Sequence, residues 1–169
     1  MNTKVNLYNG YLDGNKMVGL TDEVSLPDFD TLTETLSGAG ILGEIDEPTL
    51  GHFGASEIEI PFRMIDDQMF ALMDMQNSIN ITLRISNQAI EQANFKTDFM
   101  PSRIVIKGKK KGFTMGSLKQ GSATKPSVKL EILYILIEVN GKKKFELDKL
   151  NVVYKVNDVD LLQKARSQC

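Results

Sequence analysis

The stretch that decides the fold is Val128–Val139, VKLEILYILIEV, followed by Asn140-Gly141 and by the return segment Lys142–Val156, KKKFELDKLNVVYKV. The first segment is nearly continuous in apolar residues that favour β-strands. Asn-Gly between two such segments is the strongest short hairpin signal, because both central residues of a type I′ turn need a positive φ. The sequence therefore predicts a long antiparallel hairpin that turns at Asn140-Gly141.

The apolar positions of the return segment change parity along its length. Phe145 and Leu147 occupy odd positions, whereas the apolar alternation from Leu150 onward falls on even positions. Successive residues of a strand point to opposite faces, so one extra residue is needed to keep the same face apolar. We therefore expect a β-bulge near Asp148-Lys149.

Both faces of Val128–Val139 are apolar. The two sets are Leu130, Ile132, Tyr134 and Leu136 on one face, and Leu133, Ile135, Ile137 and Val139 on the other. An antiparallel strand in a small monomer usually leaves one face to water, so the second face needs a helix, another sheet or another subunit. Burial within the monomer and subunit contact remain equally open, and Ile135 and Ile137 become candidate contact residues.

The rest of the chain is dominated by further strand patterns. The expected strands are Val5–Tyr11 and Met17–Leu26 as a first hairpin, Glu57–Phe62, Ile79–Ile85 and an extended stretch from Arg103 to Lys119. Apolar spacings of three and four predict a helix over Arg63–Met75, and a short terminal helix is expected over Val159–Ala165 with Asp158 as its cap. The fold class is mainly β, an antiparallel sandwich or partly closed barrel with one central helix, in a single domain over residues 1–169.

Two segments lack a regular pattern and are expected to be long loops. They are Pro27–Gly54, which is rich in Asp, Thr, Glu and Gly, and Gly116–Pro126. A loop as long as the first is unusual in a compact domain and is normally either functional or mobile.

Composition excludes several classes of protein. The net charge of -2 lacks the basic surplus that a dedicated nucleic-acid binder needs. Cys169 is the one cysteine, which rules out an intrachain disulfide and a site built on several thiolates. The first residues lack the apolar run of a signal peptide, and no segment is apolar enough to span a membrane. We expect no membrane anchor and synthesis in the cytoplasm.

The residue types that carry chemistry do not form a catalytic pattern. His52 has no second histidine for a metal site and is expected to have a structural role in a loop. Asp66-Asp67 suits a helix amino terminus. Gly38-Ala39-Gly40 lacks the Gly-Lys-Ser/Thr of a phosphate loop, and the basic run Lys107–Lys111 fits a strand edge protected by lysine as well as it fits a phosphate-binding patch. No catalytic residue, cofactor or metal is predicted.

Four segments in order along the chain carry a family resemblance. They are Asn6-Leu7-Tyr8-Asn9, Ser37-Gly38-Ala39-Gly40, Lys119-Gln120-Gly121, and the closing run from Leu150 to Asp160. With them the chain resembles the major tail tube protein of contractile-tailed bacteriophages and of phage-tail-like bacteriocins. Asp158 stands where glycine is common in that family.

The resemblance implies a non-enzymatic structural subunit. Its implied partners are further copies of itself in hexameric rings stacked into a tube, a tail sheath protein, and baseplate and tail terminator proteins. DNA passes passively through the lumen or the tube acts as a puncturing rod, and assembly takes place in the host bacterial cytoplasm. The two loops supply the candidate subunit contacts, which are Leu36, Gly38, Ala39, Gly40 and Ile41 in the first and Lys119, Gln120 and Gly121 in the second. A monomeric β-barrel carrier of a small molecule is the alternative.

Overall fold

The computed structural model describes residues 1–21, 23–92 and 94–169. Within these residues the chain is mainly β, with strands of different lengths and two short helices. The elements are β1 (Asn2–Leu12), β2 (Asn15–Lys16), β3 (Thr31–Leu36), β4 (Ile45–Phe53), β5 (Glu57–Pro61), α1 (Asp67–Ala71), β6 (Ile79–Ile90), β7 (Thr97–Thr114), β8 (Ser127–Val139), β9 (Lys142–Asp148), β10 (Val153–Val156), β11 (Val159–Asp160) and α2 (Gln163–Arg166). The prediction of a mainly β, antiparallel fold is confirmed.

One large antiparallel sheet forms the body of the molecule. Its strand order is β11-β10-β9-β8-β7-β6-β1-β2, and β5 adds to β8 beside this path. β3 and β4 form a separate two-stranded sheet. In the described part of the chain the large sheet does not close into a barrel, so it keeps free edges. No helix in that part is both long and apolar enough to cross a membrane.

The hairpin at Asn140-Gly141 is present as predicted. Asn140 has φ 51° and Gly141 has φ 73°, so both central residues are in the left-handed region that a type I′ turn requires. The expected bulge near Asp148-Lys149 is wrong, because the chain reverses there and β10 pairs back onto β9. The Asp148 carboxylate accepts hydrogen bonds from the backbone N–H groups of Leu150 and Asn151, at 3.1 and 2.9 Å, and so forms the turn.

A β-bulge does occur, but in β8. Ile132 lies opposite Gly108 and Tyr134 lies opposite Lys107, which leaves Leu133 as an extra residue. At this point β8 changes its second neighbour from β5 to β9. The bulge also exchanges the faces, so that Val128, Leu130 and Ile132 before it and Ile135 after it all belong to one core. The expectation that β8 has two apolar faces, both in need of covering, is therefore corrected for most of the strand, because these apolar side chains share one core.

The core lies against one face of this sheet. Its buried members are Met17, Ile58, Ile60, Phe62, Met69, Leu72, Ile79, Ile81, Leu83, Ile104, Ile106, Val128, Leu130, Ile132, Ile135 and Leu147. The predicted alternations of β5 and β6 account for six of these positions: Ile58, Ile60, Phe62, Ile79, Ile81 and Leu83. Burial of such side chains is the main stabilising contribution to the fold.

Both helices are shorter than expected. α1 begins after Asp66, whose carboxylate accepts a hydrogen bond from the Met69 N–H at 2.9 Å, and only Met69 within it is buried. α2 covers Gln163–Arg166, and Asp158 is not its cap. Instead Asp158 has φ 65° in the turn between β10 and β11, a conformation that glycine adopts without strain.

Two amino-terminal segments also differ from expectation. The first hairpin forms through Asn15–Lys16 of β2, which precede the predicted strand Met17–Leu26, and within that segment Leu20 forms an isolated bridge to Phe62. Pro27–Gly54 is not an irregular loop, because β3 and β4 pair within it as an antiparallel hairpin. Its sequence hides the pairing because both strands are exposed and thus lack an apolar alternation. The second expected loop is present between β7 and β8.

Candidate assembly surfaces

The β3–β4 hairpin stands away from the main sheet. Every residue from 32 to 50 is exposed, and Leu42 near the tip is fully exposed. The predicted contact residues of the first loop lie at this tip, where Leu36 ends β3, Gly38–Gly40 lie in the turn region and Ile41 follows. A single two-stranded hairpin is marginally stable in water. This segment therefore presents apolar side chains and backbone that nothing in the described chain covers.

The base of the hairpin is firmly attached, in contrast to its tip. Phe53 at the end of β4 contacts the ring of Tyr154 at a centroid distance of 5.2 Å and that of Phe29 at 6.2 Å, and Phe29 contacts Phe145 at 5.6 Å. The Lys149 ammonium donates a hydrogen bond to the Gly54 carbonyl at 3.1 Å. Edge-on aromatic contacts of this kind stabilise packing beyond the area that they bury. The hairpin is thus packed against the rest of the molecule at its base, while its tip is exposed.

The loop between β7 and β8 carries the second set of predicted contacts. Lys119, Gln120 and Gly121 are all exposed at its turn. The ends of the loop are held by hydrogen bonds from the Ser117 N–H to the Thr124 carbonyl at 2.9 Å and from the Lys125 N–H to the Arg63 carbonyl at 3.2 Å. The ends of the loop are therefore fixed by hydrogen bonds, and its turn is exposed.

The predicted contacts in β8 lie against the core of the monomer. Ile135 is 1% exposed and belongs to the core, and Ile137 is half-buried and packs against the same core. The Ile135 side chain is therefore enclosed within the monomer. The sequence pattern assigned them to a second face because the bulge at Leu133 leaves no mark in the spacing of apolar residues.

A sheet edge is a surface that the sequence did not single out. β1 pairs with β6 on one side, but on the other it pairs with β2 only at Tyr11 and Leu12. Val5 and Leu7 on this strand are 56% and 66% exposed. Beside them lies an apolar groove of about 230 Å³, lined by Tyr8, Val24, Leu26, Leu83 and Ile85 among others. A strand at the edge of a sheet with exposed apolar side chains is a template for pairing with another chain.

The sheet face opposite the core carries polar pairs between neighbouring strands. Arg103 donates two hydrogen bonds to the Glu138 carboxylate, at 2.7 and 2.9 Å, and this contact raises the pKa of the guanidinium. The Tyr134 hydroxyl donates to Glu146 at 3.0 Å, and burial together with that hydrogen bond raises the pKa of Tyr134 to about 12. These pairs hold the strands in register.

The described residues bring together no set of chemical groups that resembles an active site. Among residues 1–21, 23–92 and 94–169 no cluster of three or more His, Cys, Asp or Glu side chains is placed to hold a metal ion. His52 is exposed on β4. Glu57 lies 3.0 Å from the Lys111 ammonium and 3.7 Å from that of Lys129, and the hydrogen bond from Lys111 lowers the pKa of Glu57. The β3–β4 hairpin tip, the β7–β8 loop and the edge of β1 are instead suited to contact with protein.

Residues 2–169 match the model of the family described as phage tail tube protein FII. The chain belongs to this family. This tail tube protein is 25% identical over 167 residues to the tail tube protein of Escherichia phage P2, with 98% of this chain and 96% of that one covered. The resemblance seen in the four sequence segments is confirmed, and the chain is a structural subunit of a tail tube. The alternative of a monomeric carrier is not favoured.

Solved structures share the fold of the tail tube protein at low identity. The sheath/tube terminator of an extracellular contractile injection system, in the extended state, matches with a TM-score of 0.52 and 11% identity, covering 78% of this chain and 92% of that one. The baseplate of the anti-feeding prophage contains a chain that matches with a TM-score of 0.51 and 8% identity, covering 78% and 90%. A chain of the sheath-tube complex of the extracellular contractile injection system, in the extended state, matches with a TM-score of 0.50 and 11% identity. The match covers 78% of this chain and 88% of that one.

Proposed function

We propose that this tail tube protein forms hexameric rings that stack into a hollow tube, with the β3–β4 hairpin and the β7–β8 loop as contacts between rings. The observation that carries the proposal is the exposure of all residues from 32 to 50 on a paired, projecting hairpin. An element with so little contact in the monomer gains its stability from a neighbour. We assign that contact to Leu36, Gly38–Ile41 and Lys119–Gly121, which are all exposed.

The contacts within a ring are assigned to the edges of the large sheet. β1 with the two-residue β2 is one end of the sheet path, and β10 with the short β11 is the other. Joining one edge to the opposite edge of the next copy is a head-to-tail contact, and repetition of such a contact closes a ring when the rotation allows it. The exposed side chains of Val5 and Leu7 add apolar area to this contact.

The tube acts without catalysis. It serves as a rigid conduit for DNA or as a puncturing rod, with a sheath protein around it and baseplate and terminator proteins at its ends. The similar solved structures, which include a sheath-tube complex, a sheath/tube terminator and a baseplate, support these partners. Subunits are made and assembled in the cytoplasm of the host bacterium before the finished tail leaves it.

Negative-stain electron microscopy of the purified protein tests the proposal. We expect rings or tubes at high protein concentration. The variant Ile41→Ser/Leu42→Ser removes apolar side chains from the hairpin tip and should give rings that stack poorly, while Leu150→Ser/Val152→Ser, which changes exposed apolar residues of the β9–β10 turn, serves as the matched control. Monomers at every concentration would contradict the assembly of rings. Normal tubes from the tip variant would exclude the hairpin as the contact.

A further inference from the structure

The charge on the β3–β4 hairpin points to the chemistry of its partner. We propose that the hairpin of one copy docks electrostatically on a basic pole of the next copy, formed by Arg63, Lys119 and Lys125, with Glu34 and Glu47 as the main acceptors. The inference rests on the proposed stacking of rings and specifies how one ring recognises the next.

Charge is segregated along this chain. Between Met17 and Phe62 every side chain that is charged at neutral pH is an Asp or a Glu. Between Phe99 and Leu130 every such side chain is a Lys or an Arg. The net charge of -2 hides this separation. Two oppositely charged segments on the same chain give copies of the chain a complementary surface on each other.

The hairpin holds an electrostatic conflict that the monomer does not relieve. Glu34 on β3 and Glu47 on β4 are directly opposite each other, so their carboxylates are on the same face of the ribbon. Like charges directly opposite across two strands are destabilising. In the described part of the chain neither carboxylate makes an ion pair. A cation from outside the monomer resolves the conflict.

The basic pole offers such cations. Arg63, Lys119 and Lys125 are all exposed, and none of them forms an ion pair with a described residue. Arg63 and Lys125 are held side by side by the backbone hydrogen bond of 3.2 Å that anchors the β7–β8 loop. By contrast, Lys111 and Lys129 already contact Glu57 within the sheet, at 3.0 and 3.7 Å. Arg63, Lys119 and Lys125 are therefore available to an acidic surface, and all three lie on or beside the β7–β8 loop.

The hairpin and the basic pole lie at opposite ends of β5. The hairpin leads into the end of β5 at Glu57, which pairs with Glu131, whereas the pole flanks the end at Pro61, which pairs with Ser127. A projection at one end and its complement at the other make a head-to-tail contact that does not close on itself within a pair. Repetition of that contact yields an open stack, which is the geometry that a tube needs.

Charge reversal with rescue tests the contact. Glu34→Lys/Glu47→Lys should reduce the pelletable fraction of tubes at least tenfold while circular dichroism shows a folded protein, because both side chains are exposed. The control Glu91→Lys/Asp98→Lys makes the same change of net charge at exposed acids away from the hairpin and should leave tubes intact. Adding Lys119→Glu/Lys125→Glu to the hairpin variant restores opposite charges and should restore most of the tubes.

The possible outcomes separate this contact from the proposed function. Tubes from wild type and equally from Glu34→Lys/Glu47→Lys would overturn the electrostatic contact and leave stacking intact. A defect that Lys119→Glu/Lys125→Glu does not rescue would also overturn it. Wild-type protein that never forms rings or tubes would overturn both proposals. Loss of tubes in the hairpin variant with recovery in the fourfold variant supports the assigned pair of surfaces.

Discussion

At the scale of single residues, Gly108 leaves no room for a side chain. A Cβ atom added there would lie 2.2 Å from the Glu131 carbonyl oxygen, which is backbone and cannot move aside without disturbing β8. The bulge at Leu133 brings the two strands this close. One absent side chain in β7 therefore permits the bulge, the exchange of faces and the continuous core.

Gly108→Ala is expected to lower the free energy of unfolding by about 3 kcal/mol, because overpacking against the backbone forces the strands apart. The control is Gly112→Ala in the same strand, where an added Cβ has nothing within 4 Å. That control should change stability by no more than about 0.5 kcal/mol. Urea unfolding of the three proteins measures the difference, and equal stability of the two variants would contradict the packing argument.

Tyr134 makes stability depend on alkaline pH. Burial and the hydrogen bond to Glu146 raise the pKa of Tyr134 from 10.0 to about 12 in the folded protein. Because the folded state holds this proton more tightly than the unfolded state, the contribution is complete below pH 10 and is lost as the pH rises towards 12. Wild type should therefore lose more stability than Tyr134→Phe over that interval. An equal loss of unfolding free energy in the two proteins over this pH interval would contradict the assignment.

At the scale of elements, sequence reasoning succeeded where a strand has one buried face. The alternation of Ile79, Ile81 and Leu83 and the Asn140-Gly141 turn each specify local structure directly, and both are confirmed. It failed for β3 and β4 because an exposed ribbon has no buried face to impose an alternation. It also misjudged α1, since the apolar spacing of Arg63–Met75 continues past the point where the helix ends at Ala71.

The proposed subunit contacts could be predicted from the sequence only in part. The tip and loop residues stood out because irregular, glycine-containing segments lie on the surface. Ile135 was misplaced because a bulge depends on the partner strand, and Gly108 is more than twenty positions away in the chain. The free edge of β1 could not be foreseen, because the shortness of β2 becomes visible only when the strands are paired.

The β3–β4 hairpin is expected to contribute little to the stability of the monomer. Replacing Thr33–Pro48 with Asn-Gly removes exposed residues and leaves the aromatic base at Phe53 in place. The free energy of unfolding should change by less than about 1 kcal/mol, in keeping with substitutions at exposed positions. Denaturant unfolding at low protein concentration measures it. Extensive loss of stability would show that the hairpin supports the core.

At the scale of the whole molecule, segregated charge makes assembly sensitive to salt. The screening length falls from about 10 Å at 0.1 M salt to about 3 Å at 1 M salt, which weakens contacts between exposed charges. The fraction of protein in stacked tubes should fall over this range, while rings joined by apolar strand edges should persist. Sedimentation at a series of salt concentrations measures both species. Tubes that grow longer with salt would indicate that apolar contacts dominate stacking.

The projecting hairpin also has a consequence for the kinetics of growth. Since a lone hairpin is only marginally ordered, the first copies to meet lose conformational entropy on both sides of the contact. A copy that arrives at an existing end meets partners whose arrangement is already fixed by their neighbours. We therefore expect the start of a new tube to be slower than the lengthening of an existing one, so that subunits add to existing ends faster than they start new tubes.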